Sequence, residues 1–136
     1  MPFYRVYYPT NLLSESSKAT VASQITEQHC AVAGAAPSAV KVLFISFNPA
    51  DAFSEGKPAA PFVRVVGVIR GGRDGPTRAK LLTALHGVFA RALQSDAVAE
   101  ITLVENRPED NVRYAHSDAG HDDLEWAALA PPSTSS

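Results

Sequence analysis

The sequence predicts an α+β domain: two tandem β-α-β units forming one four-stranded mixed sheet, with two helices on one face. Three observations carry this. The order strand, helix, strand occurs twice along the chain. Pro2-Phe3-Tyr4-Arg5-Val6 returns as Pro61-Phe62-Val63-Arg64-Val65, at an offset of 59. Adding that offset to the second strand lands on the fourth. A β-α-β crossover is right-handed, so the strands within each unit run parallel. The 136 residues suit a single domain, with a first unit over 2–60, a second over 61–106 and a polar tail over 107–136.

Phe3–Tyr8 is aromatic and β-branched and reads as a strand, with Pro2 at its first position, where a missing N–H does least harm. Pro9–Leu13 turns the chain into a helix from Ser14 to about Ala33, with Ser14 or Ser16 as N-cap. Val21, Ile25, His29 and Val32 draw its inward stripe, and Gly34–Pro37 ends it. Ala39–Phe47 (AVKVLFISF) is apolar on nearly both faces and reads as a central strand. Asn48–Pro61 is expected to be a functional loop, because it is longer than ordinary connections. Phe62–Ile69 is the third strand, and Arg70–Pro76 (RGGRDGP) a glycine-rich turn. Thr77 is expected to cap a helix reaching Leu93, with Leu81, Leu82, Leu85, Val88 and Phe89 inward. Glu100–Glu105 is the fourth strand.

With both helices on one face, the other face of the sheet, carrying Val40, Val42 and Phe44 or their neighbours, is left apolar, which implies self-association. Trp126 and Leu124 are expected to dock the tail on a neighbouring surface, and Pro131–Ser136 to be disordered. His116, His121, Asp122 and Asp123 lack zinc or calcium spacing and read as a solvated tail, so no metal or cofactor is called for. A formal charge of −2 without a basic block argues against nucleic acid and anionic membranes as partners. The single Cys30 excludes an internal disulfide. The start MPFYR lacks a leader pattern and no apolar run approaches a bilayer span, so the expected location is the cytoplasm.

Repeated β-α-β units with proline directly after the initiator methionine resemble the tautomerase superfamily, and within it the cis-3-chloroacrylic acid dehalogenase subgroup. The motifs that carry the resemblance are Pro2, His29 and Arg70-Gly71-Gly72-Arg73, within roughly residues 2–114. It implies a homotrimer, a small carboxylic acid as substrate, and catalysis by the amino-terminal proline with His29, Arg70 and Arg73. At the subgroup's tyrosine and water-activating glutamate positions this chain carries Leu103 and Tyr114, with Glu105 and Glu109 the carboxylates nearby. Tyr4, Leu103 and Tyr114 are the candidate lining of the substrate pocket.

The chemistry of these residue types fits that implication. Removal of Met1 leaves Pro2 as a secondary amine, whose pKa burial and neighbouring cations lower, so that it can act as a general base. Arg70 and Arg73, three residues apart, present two forks suited to a planar carboxylate, and Gly71 and Gly72 let a small acid approach. His29 can hydrogen-bond the substrate oxygen. The expected reaction is keto–enol or double-bond isomerisation of a small 2-oxo or 2-hydroxy-unsaturated acid. The alternatives are a hydratase or dehalogenase acting on a 3-haloacrylate-like acid, a non-catalytic trimeric binding module, and a ferredoxin-like dimer of the small monooxygenase type.

Overall fold

The computed structural model describes residues 2–93 and 96–116. The expectations for His121, Asp122, Asp123, Leu124, Trp126 and Pro131–Ser136 lie outside the described residues. The elements follow in the order β1 (Phe3–Pro9), α1 (Glu15–Ala33), β2 (Lys41–Phe47), β3 (Phe53–Ser54), β4 (Lys57–Pro58), β5 (Phe62–Arg70), α2 (Gly75–Ala92) and β6 (Val98–Asn106), with 3-10 turns at Pro37–Ala39, Pro49–Asp51 and Pro108–Asp110.

The main sheet has the order β2-β1-β5-β6, so β2, expected from its apolar run to be central, lies at an edge. The β1–β2 and β5–β6 pairs are parallel, and the central β1–β5 pair is antiparallel. This is the mixed sheet expected from two β-α-β units. Its register decides where chemistry can happen. Phe3 stands opposite both Lys41 and Val68, and Arg70 opposite Asn106. The starts of β1 and β2 and the ends of β5 and β6 therefore meet at one end of the sheet.

Alternation sorts the side chains. Tyr4, Val6 and Tyr8 on β1 and Val63, Val65 and Ile69 on β5 are buried beneath the helices. They meet Val21 and Ile25 of α1 and Leu81, Leu85, Val88 and Phe89 of α2. Each such aliphatic side chain contributes roughly 1.5–3 kcal/mol on full burial. No helix among the described residues is long and apolar enough to cross a membrane.

Several sequence expectations need correction in detail. Val42 and Phe44 face the helices, because they stand opposite Tyr4 and Val6 and cross-strand partners point the same way. The uncovered face instead carries Leu43, Ile45 and Phe47. The N-cap of α2 is Asp74, not Thr77: its carboxylate accepts from Thr77 N–H at 2.8 Å. Pro76 in the first turn marks that start, since proline there loses no helical hydrogen bond. For α1, Ser14 rather than Ser16 is the cap. Leu82 is only half-buried. Asn48–Pro61 is not irregular throughout: β3 and β4 form a miniature hairpin across Glu55 and Gly56, both at positive φ, the mirror-image turn that tight hairpins favour.

Candidate active site

The end of the sheet where β1 begins is also where α1 finishes. Pro2 is buried there, and its carbonyl accepts from Lys41 N–H at 3.0 Å, which fixes the chain start against β2. His29 sits one turn before the end of α1 and is fully buried. Gly34 then closes the helix at φ 76°, donating to Cys30 C=O at 2.9 Å. Ala36 and Ala39 follow and form a wall of small side chains.

The arginine pair enters from the other unit. Arg70 is the last residue of β5 rather than part of the turn. Gly71 N–H donates to Asn106 C=O at 2.9 Å, and Gly72 N–H to Glu105 Oε2 at 3.0 Å. The other Glu105 oxygen lies 3.5 Å from Arg78 Nη1, and that nitrogen also donates to Arg73 C=O. Arg73 reaches across to α1 and donates to Ala33 C=O at 3.0 Å. A cation at the negative end of α1 is favourable by itself. The turn is thus held to β6, to α2 and to α1.

One cavity of about 440 Å³ gathers these groups. Pro2, His29, Arg70 and Arg73 all line it, together with Asn106 and Asn111 from the far side. Tyr4, Leu103 and Tyr114 do not line it. Tyr4 and Leu103 belong to the core beneath, and Tyr114 is 59% exposed. The described lining residues include two guanidinium groups and no carboxylate. Glu105 is committed to the turn, and Glu109 lies 3.9 Å from Arg107. The described lining is therefore electropositive, a setting that favours a negatively charged group.

The electrostatics of His29 follow from its place. Burial lowers its pKa to about 4, and the Arg73 charge acts in the same direction. Burial also pushes the Tyr4 phenol well above its ordinary value, opposed in part by Arg73. Tyr4 Oη lies 2.7 Å from His29 Nδ1, while Nε2 has no partner among the described residues. Sequence reasoning missed this pairing. The alternation of β1 was readable, but not which face would meet the helices. It also missed the clamp by Glu105, whose partner Gly72 is 33 residues away.

Over residues 1–115 the chain matches a family model described as "Putative oxalocrotonate tautomerase enzyme". No curated protein matches it. Among solved structures it is similar to native Ps01740, at 30% identity and a TM-score of 0.68 over 76% of this chain and 94% of that one. It is also similar to N1, a member of the cis-3-chloroacrylic acid dehalogenase family, at 24% identity and a TM-score of 0.72, over 98% and 95% of the two chains. A fused 4-OT named Q0, a symmetric trimer, gives a TM-score of 0.73 at 18% identity, over 88% of this chain and 99% of that one. The last two likenesses, below 25% identity, concern the fold.

Proposed function

The chain belongs to the tautomerase superfamily, and we propose that it moves a proton within a small 2-oxo or 2-hydroxy-unsaturated carboxylic acid, with Pro2, freed by removal of Met1, as the acid–base group. The observation that carries this reading is the shared lining of one cavity by Pro2, His29, Arg70 and Arg73, with no carboxylate among the described lining residues.

Arg70 and Arg73 hold the substrate carboxylate and draw the adjacent oxygen into their field. An ordinary α-amino group titrates at roughly 7.7–8.0. Burial and two neighbouring guanidinium groups disfavour its charged form, so the Pro2 amine is a base at neutral pH. In the enol-to-keto direction, Pro2 N takes the 2-hydroxyl proton and the C–O bond becomes a carbonyl. The electron pair moves through the double bond to carbon, and the Pro2 ammonium returns the proton there. His29 steadies the oxygen while its charge changes. No cofactor takes part.

Hydration or hydrolytic dehalogenation would need a group to deprotonate water besides the one that protonates carbon. The absence of a carboxylate among the described lining residues favours isomerisation over both. We expect the working form to be a cytoplasmic homotrimer; the uncovered sheet face and the trimeric state of the similar fused 4-OT support that assembly.

The deciding experiment follows ketonisation of phenylenolpyruvate and 2-hydroxymuconate by wild type and Pro2→Ala, with loss of Met1 verified by intact mass. The rate is expected to fall by roughly 10²–10⁴-fold, the usual worth of a placed general acid–base. Equal rates in the two proteins would overturn the mechanism.

A further inference from the structure

His29 and Tyr4 form a buried pair whose proton arrangement is determined by its surroundings. Tyr4 is completely buried, and among the described residues its hydroxyl has one hydrogen-bond partner, His29 Nδ1 at 2.7 Å. With the proton on Nδ1 instead, the buried phenol O–H would have no acceptor among the described residues, so the arrangement that satisfies it has the phenol donating to Nδ1. A neutral imidazole whose Nδ1 accepts carries its single proton on Nε2. That nitrogen is itself buried and has no partner among the described residues, and His29 is one of the residues lining the cavity with Pro2, Arg70 and Arg73. We propose that Tyr4 is a positioning residue that locks His29 as the Nε2–H tautomer, making it a fixed neutral donor toward the substrate oxygen rather than a second proton-transfer group.

Gly67 is part of the same device. A Cβ at this position of β5 would stand 2.5 Å from Tyr4 Cε1 and 2.8 Å from Cδ1, with Leu103 Cδ2 at 3.1 Å on the other side. The Tyr4 ring lies where a side chain at 67 would be, and only glycine leaves it there. The charge facing His29 reinforces the lock. Arg73 opposes a second proton on the ring, and Tyr4 occupies the nitrogen such a proton would need. The donor role toward substrate rests on the tautomerase reading above, whereas the tautomer itself does not.

The test separates the two. Side-chain ¹⁵N spectra of labelled wild type are expected to show His29 with protonated Nε2 and bare Nδ1, unchanged from pH 8 to pH 5.5. Tyr4→Phe keeps the ring's shape and is expected to lose this single form, either mixing tautomers or taking up a proton within that range. Its kcat for phenylenolpyruvate is expected to fall about tenfold or more while KM stays within about twofold, and its pH–rate profile to gain an ionisation that wild type lacks. Gly67→Ala is expected to reproduce the spectral change by displacing the ring. A wild-type spectrum with protonated Nδ1, or a Tyr4→Phe spectrum identical to wild type, would overturn the lock whatever the substrate proves to be. A correct tautomer with an unaltered kcat in Tyr4→Phe would overturn the donor role alone.

Discussion

His29 shows how one residue can serve a site and burden the fold. In the unfolded chain its pKa is about 6.5, an ordinary histidine value, and in the folded protein it is about 4. Between those values the unfolded chain binds a proton that the folded protein refuses, so stability rises with pH. The contribution is complete above about pH 7 and is lost as pH falls toward 4, to a total of roughly 3 kcal/mol. Urea unfolding at pH 7 and pH 4.5, at equal protein concentration, should show wild type losing about 2–3 kcal/mol more than His29→Gln, which has nothing to titrate. Parallel losses in the two proteins would place the shift elsewhere. The stripe Val21, Ile25, His29 was legible in the sequence because helix spacing alone puts the three together, and the structure buries all of them. The partner of His29 was not legible, since alternation fixes the parity of β1 but not which parity lies beneath α1.

At the level of elements, the turn joining β5 to α2 is the part whose order the proposed chemistry most needs. Its sequence, RGGR, supplies freedom, and the restraint comes from β6 and α2. Glu105 accepts from Gly72 N–H at 3.0 Å and faces Arg78 at 3.5 Å, while Arg78 reaches the Arg73 carbonyl. Both members of that ion pair are more than a third exposed, so the pair adds under about 1 kcal/mol to stability. Its expected effect is on geometry. Glu105→Ala should raise KM for a carboxylate substrate several-fold, with kcat little changed and the denaturation midpoint nearly constant. Glu105→Gln, which can still accept from Gly72, should lie between the two. A KM unchanged in Glu105→Ala would mean that Arg73's bond to the end of α1 is sufficient by itself. The arginine pair could be found by spacing, but its clamp depends on contacts between distant elements, and no local pattern marks Glu105 as more than a strand residue. The cap of α2 has a different cause. Both Asp74 and Thr77 are good capping residues, and the proline between them decides the matter.

Across the whole molecule, the duplication was the most legible feature, because strand order and an offset of 59 repeat over complete units. The residues of the candidate site are not duplicated. By the same offset His29 corresponds to Val88, Arg70 to Asn11 and Arg73 to Ser14, while Pro2 corresponds to Pro61. Pro61 lies inside the chain, so its nitrogen is an amide and cannot take a proton. At the opposite end of the sheet a cavity of about 70 Å³ is lined by Pro9, Phe47, Pro61 and Phe62, whose two phenylalanine rings lie 5.2 Å apart, and another of about 160 Å³ lies between the end of α2 and the start of β6. Both are smaller than the cavity that holds Pro2, and neither has an arginine among its described lining residues. The two faces of the sheet differ as well. Both helices cover one face, and the other presents Leu43 at 48% and Val104 at 45% exposure, alongside Ile45, Val66 and Val68. Arg5, Arg64 and Glu100 interrupt this face, and its apolar part is stable in water when a second surface covers it. The cover expected here is two further copies of the chain in closed threefold symmetry, which leaves no face open. Light scattering behind a sizing column should give a mass of three chains, and Leu43→Glu should lower it while far-UV circular dichroism is retained. A wild-type mass of one chain would mean that the face is covered by something other than its own copies.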